Sequence, residues 1–245
     1  MTELRRQIIR ADDSPSIDAF GRWRVSNPET IFDSKNIFND SDIAETAENQ
    51  PLFYDNQETS GTGTSTAYNN YHSSQSLVVA NLTAGTRVRQ TKMRFNYQPG
   101  KSSLVFSTFN LNGTQGNIIK KNGFYDENNG LFIEANGTTI NLVRRTNVTG
   151  TPTDTQIAQA NWNIDTMDGN GASGITINFT KAQILIIDFE WLGVGRVRMG
   201  FVVNGLIYYS HEFLNTNNLA EVYMSTPNLP LDKKFQTMEA VWNHQ

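Results

Sequence analysis

QILIIDFEWLGVGRVRMGFVVNGLIYYSHEF, residues 183–213, reads as three consecutive antiparallel strands. Across 184–191, Leu185, Ile187, Phe189 and Trp191 share one face and Ile184, Ile186, Asp188 and Glu190 the other, because side chains alternate along a strand. Leu192-Gly193-Val194-Gly195 reverses the chain. Residues 196–203 then put Val197, Met199, Phe201 and Val203 on one face and Arg196 and Arg198 on the other. Asn204-Gly205 predicts a type I′ turn, which needs positive φ at both central positions. The third strand covers 206–213.

The rest of the chain agrees with an all-β reading. Charged residues are 18% of the 245, so its polarity comes mainly from Asn, Thr, Ser, Gln and Gly, which favour turns and strands over helices. Strand-length runs fall at 76–82, 86–97, 102–111, 116–124, 130–136, 138–145, 155–160, 175–179, 183–191, 196–203, 206–213 and 221–225, with a short helix at 216–220. Turn signals such as Pro99-Gly100, Asn112-Gly113 and Asn136-Gly137 separate them. The pattern predicts an antiparallel β-sandwich of jelly-roll or lectin-like type over residues 73–231. Residues 1–72 carry apolar spots without a period and the tract TSGTGTSTAYNNY, so they read as an extended arm with a flexible loop. Residues 232–245 read as a C-terminal tail.

Several function classes are disfavoured. A net charge of −4 is the wrong sign for a general nucleic-acid binder. Zero cysteines remove disulfides and thiolate metal sites, and fit assembly in a cytoplasm. No apolar run approaches the roughly 20 residues of a membrane span, and the first residues lack the apolar core of a signal peptide. No histidine pair has metal-ligand spacing, and Asp126-Glu127-Asn128 and Asp168-Gly169-Asn170 are incomplete calcium loops that read as turns. Six N-x-S/T triplets are the chance product of an Asn- and Thr-rich chain. No phosphate-binding glycine motif or nucleophile elbow occurs. No cofactor is expected.

Asp188 and Glu190 are the candidate acids. Two carboxylates on one strand face suggest a β-sandwich glycanase, but Ile186 stands where a third acid of the E-x-D-x-E pattern belongs. Phasing about the first turn sets Arg196 opposite Glu190 and Arg198 opposite Asp188, and phasing about Asn204-Gly205 adds His211 to the same face. The plainer reading is a structural ion-pair ladder of Asp188, Glu190, Arg196, Arg198 and His211. A carbohydrate-binding reading would use Tyr208, Tyr209, Trp162 or Trp191 beside it. The basic strand with Arg87, Arg89, Lys92 and Arg94 distributes its charge over both faces, unlike a nucleic-acid groove.

The blocks DAFGRWRVSNPETIFDSK, GTRVRQTKMRFNYQPGKS, NNGLFIE, RRTNVTGTP, DFEWLGVGRVRMGFVVNG and VYMSTPNLPL resemble a family of tailed-bacteriophage virion structural proteins, over about residues 18–231. The resemblance implies a non-enzymatic particle component, made in the host cytoplasm and assembled in many copies with itself and other virion proteins. It brings no catalytic residues. On this reading Phe20, Trp23, Phe32, Phe53 and Tyr54 are candidate arm contacts to neighbouring subunits; a receptor-recognising glycan-binding module of a fibre is the alternative, and a glycanase the remote one. The ending DKKFQTMEAVWNHQ departs from the family's strand-forming continuation, which predicts a sandwich with an open edge or one completed by a neighbour's arm.

Overall fold

The computed structural model describes residues 30–33, 54–69, 71–80 and 82–237. The chain divides into two units, residues 1–35 and 36–245. The first is described only at 30–33, which have no regular secondary structure and include a half-buried Phe32. Phe20, Trp23 and Phe53 lie outside the described residues.

The second unit is an all-β antiparallel sandwich. Its strands are β1 (Tyr54–Gly61), β2 (Thr64–Asn69), β3 (Ser74–Val79), β4 (Gly85–Thr91), β5 (Ser103–Phe109), β6 (Ile118–Tyr125) and β7 (Gly130–Asn136). They continue with β8 (Thr139–Thr146), β9 (Thr153–Ala158), β10 (Gln183–Phe189), β11 (Val197–Val203), β12 (Leu206–Phe213) and β13 (Leu231–Thr237). A seven-stranded sheet has the order β1-β4-β13-β6-β7-β8-β9, and a four-stranded sheet the order β12-β11-β10-β5; β2 and β3 form a separate hairpin. Consecutive strands β6–β9 and β10–β12 are meanders, so most pairing is local.

Alternation builds the core. Leu131, Ile133 and Ala135 of β7 and Leu142 of β8 face Leu185, Ile187 and Phe189 of β10 and Met199 and Phe201 of β11 in one buried cluster. Phe124 lies 5.5 Å from Phe189, and Trp162 lies 5.9 Å from Phe201, measured between ring centroids. Each such aromatic contributes about 1.5–3 kcal/mol by burial. Polar contacts also cross between the layers, among them Ser107 Oγ donating to Asn122 Oδ1 at 2.9 Å and Lys120 Nζ to the Leu111 carbonyl at 2.7 Å.

The expected meander is present, with Asn204 and Gly205 at φ 51° and 80°. Three expectations differ. Residues 54–69, assigned to the arm, form β1 and β2, and Tyr54 pairs with Thr91 in β4. The 175–179 and 221–225 runs are not strands, and 216–220 is a turn rather than a helix. The largest departure is at the C-terminal end. The first part of the expected tail is β13, which pairs with β4 on one side and β6 on the other. It is an interior strand, so this chain itself supplies the strand whose place was expected to be left open or filled by a neighbour's arm.

Ending the chain after Pro230 removes both ladders of β13, a loss comparable with the about 5–15 kcal/mol that holds an ordinary domain together. The shortened protein is expected to lose its cooperative thermal transition in calorimetry.

Candidate functional site

The outer face of the four-stranded sheet collects the residues singled out in the sequence. Asp188 stands directly opposite Arg198, and the two form a largely buried ion pair through Asp188 Oδ2 and Arg198 Nη2. Tyr209 donates its hydroxyl hydrogen to the same oxygen at 2.9 Å, while the Arg198 guanidinium lies 4.3 Å from the Tyr209 ring centre. Burial, reinforced by the Asp188 charge, pushes the Tyr209 phenol up to about 12. This is a closed knot of anion, cation and phenol, with no free acid in it.

The other members of the expected ladder go elsewhere. Glu190 bonds Arg196 only through the backbone, its N–H donating to the Arg196 carbonyl at 3.1 Å. The Arg196 side chain instead pairs with Glu212, Nε to Oε1 at 3.3 Å, and Glu190 forms no salt bridge among the described residues. His211 leaves the face altogether. The β11–β12 register shifts between Met199 and Gly200, so His211 pairs with Met199 and Glu212 takes the place opposite Arg198. The shift inserts Ser210 as a bulged residue, which turns His211 toward the core. Gly200 belongs to this feature, since a Cβ there would lie 2.1 Å from the Tyr208 carbonyl oxygen. His211 Nδ1 accepts from the Asn163 N–H at 3.3 Å, and the ring meets Phe213 edge-on at 4.6 Å. Burial lowers its pKa to about 4.

The aromatic residues considered for glycan stacking are mostly committed inside. Trp162 is buried and donates its ring N–H to the Ile157 carbonyl; the Trp191 ring N–H bonds the Met224 carbonyl, with the Tyr97 ring edge-on against it. Tyr208 packs against the core. Tyr209 alone joins the polar patch, and Arg198 lies over it.

Two charged clusters were not singled out in the sequence; the first lies on the consecutive strands β6–β9, and the second joins segments far apart in the chain. On the outer face of the large sheet, Lys121 pairs with Glu134 at 3.1 Å and Arg145 grips Asp154 through two bonds of 2.7 and 2.8 Å, all beside the buried Phe132 ring. Alternation about the Asn136-Gly137 turn was the available signal. The second cluster surrounds a shallow cleft of about 250 Å³ lined by Val88, Gln90, Arg94, Asp126, Glu127, Asn128 and Asp232. Arg94 binds Asp126 at 2.6 Å, and Lys234 binds Glu127 at 3.3 Å. Asp232 is buried, its Oδ1 without a hydrogen-bond partner, and burial raises its pKa to about 8.

No group of three or more His, Cys, Asp or Glu side chains among the described residues could hold a metal ion. The two incomplete calcium loops are Asx turns: Asp126 Oδ1 accepts from the N–H groups of Asn128 and Asn129, and Asp168 Oδ1 from that of Asn170. The basic strand's cations are also engaged, Arg89 over the Tyr54 ring at 4.3 Å and Lys92 with Asp55 at 3.7 Å. Tyr54, one of the candidate arm contacts, is therefore held by its own sheet. No protein-family model and no curated protein matches the chain.

Replacing Asp188 by Ala breaks a largely buried ion pair from one side and should cost about 3–5 kcal/mol in urea unfolding. The half-exposed Arg196–Glu212 pair should cost about 0.2–1 kcal/mol when Arg196 becomes Ala.

Two of the strongly shifted groups, Asp232 and His211, make opposite contributions to pH dependence between about pH 4 and 8. Asp232 keeps its proton in the folded state, so its contribution to stability falls as pH rises from its ordinary value of 3.8 to about 8. His211 stays neutral when folded, so its contribution rises with pH from about 4 to 6.5. Between about pH 4 and 6.5 the two slopes offset each other, and from 6.5 to about 8 Asp232 acts alone. Stability measured by denaturant titration should be flat, then decline. Asp232→Asn should convert this to a rise followed by a plateau.

Proposed function

We propose that the chain is a non-enzymatic structural component of a tailed-phage virion, working by binding other copies and other virion proteins. The carrying observation is how its reactive side chains are used. Asp188 is bound by Arg198 and Tyr209, Arg196 by Glu212, and His211 is turned into the core. A general acid must be free to give its proton to a substrate, and a stacking platform must present an open ring face. Of the two candidate acids Asp188 is spent on internal contacts, as are Trp162, Trp191 and the Tyr209 ring, and Glu190 stands without the second free carboxylate that a glycanase pair needs. In contrast, the outer face of the small sheet displays Leu104, Phe106 and Ile207, which favours an interaction surface. The resemblance of the blocks quoted above to phage virion proteins suggests the particle context.

Quantitative mass spectrometry of purified virions of the encoding phage should find the protein at many copies per particle. Its absence from washed particles would end the virion reading. Hydrolysis of a capsular polysaccharide that disappears in Glu190→Gln would replace it with the glycanase alternative.

A further inference from the structure

The edges of the two main sheets are treated differently. β1 carries Asp55 and β9 carries Asp154, charges that discourage another strand from adding on. At β12 the edge is filled by a side chain acting as a strand. Asn163 donates from Nδ2 to the Glu212 carbonyl at 2.9 Å and accepts the Glu212 N–H at 2.8 Å, while the N–H groups of Ile164 and Asp165 bond the Ser210 carbonyl. β5, with the sequence SLVFSTF, has no charge and no proline.

Its free side is also well defined. Among the described residues β5 pairs only with β10. Lys233 Nζ donates to the Thr108 carbonyl at 3.2 Å, so that carbonyl points away from β10. Backbone groups alternate in direction along a strand, so those of Phe106 and Leu104 point outward as well. Among the described residues no backbone bond outside the β10 ladder engages Leu104, Val105 or Phe106. Their neighbours on the outer face stay in reach of solvent: Leu104 is 49% exposed and Phe106 50%.

We infer that β5 is the pairing edge for a second copy of this chain, joined antiparallel about a two-fold axis at Val105. The inference rests on the assembly reading above and names its contact. With that centre, Leu104 of each copy faces Phe106 of the other. Both are outward-pointing, so each pair exchanges two N–H···O bonds. Thr108 is left to Lys233. The arrangement is self-complementary, which is what closed two-fold contact requires. It places Leu104 against Phe106 twice on the outer face, an apolar cross-strand pair, and it brings no like charges together within β5. The two four-stranded sheets become one of eight strands. A strand-edge contact of this length falls below the roughly 1,200 Å² of stable complexes, so it should form at about micromolar to 0.1 mM protein and be reinforced where copies are tethered together.

The absence of cysteine makes the register directly testable. Leu104→Cys and Phe106→Cys proteins are prepared separately, mixed, and oxidised mildly. Facing residues of a bonded antiparallel pair lie about 5.5 Å apart between Cα atoms, within disulfide range, whereas like positions do not. The mixture should form the Leu104–Phe106 cross-linked dimer at least tenfold faster than either protein alone. Sedimentation equilibrium should show the unmodified chain self-associating and Phe106→Lys weakening that at least tenfold, with an unchanged circular dichroism spectrum reporting an intact fold. Equal cross-linking rates, or self-association that survives Phe106→Lys, would overturn the β5 contact and leave the virion reading standing. Cross-linking as expected with a chain absent from virions would do the reverse.

Discussion

The large sheet depends on one non-local insertion. β4 and β6 are not hydrogen-bonded to each other; β13 lies between them and pairs with both. Without it the β1–β4 ribbon and the β6–β9 meander would be separate sheets with open edges. The closure also reaches across the layers, since Lys233 of β13 bonds the Thr108 carbonyl of β5. Its contacts span much of the chain: the Leu231 N–H bonds Thr91 Oγ1, 140 positions away in sequence. Loop-closure entropy grows only logarithmically with such separations, so the cost to stability is modest. The cost to folding rate is larger, because the meanders form from local contacts while the sheet that unites them waits for the distant strand β13.

This position explains what sequence reasoning could see. The 183–213 meander was legible because alternation, a double-glycine turn and Asn-Gly are all local signals. β13 was not. DKKFQT has little apolar alternation, and an interior strand is expected to be apolar. The structure solves the problem with directed contacts: Lys234 reaches Glu127, Lys233 reaches a carbonyl of the facing sheet, and Asp232 is held in the state that burial favours, with its proton on. β1 and β2 were missed for a related reason. Their Ser, Thr and Gly content reads as low complexity, although threonine suits a pleated surface.

The ladder was half legible, and the error has a single cause. Counting back from Asn204-Gly205 pairs residue 198 with 211 only if the register runs unbroken. The bulge at Ser210 breaks it. Gly200, alone in an apolar run, carried the warning, since an isolated glycine in a strand marks a bulge or a close backbone approach. One inserted residue exchanges His211 for Glu212 on the outer face. It thereby sets a carboxylate beside Arg196 and sends the imidazole toward the core.

The buried pair and the open edge are parts of one arrangement. Asp188 stands in register with Arg198 on one side and with Leu104 on the other, and Ile186 stands between Gly200 and Phe106. A slip of β10 by one residue would turn Asp188 toward the apolar core and take it from Arg198 and Tyr209, so the ion pair excludes that slip. A buried ion pair often adds little net stability, because desolvation consumes most of the attraction. Its value here lies in choosing among registers that the apolar residues Ile184 to Ile187 would tolerate. Since β5 is registered on β10, the same choice decides which β5 side chains stand on the outer face. Leu104 and Phe106 point outward because Asp188 must meet Arg198.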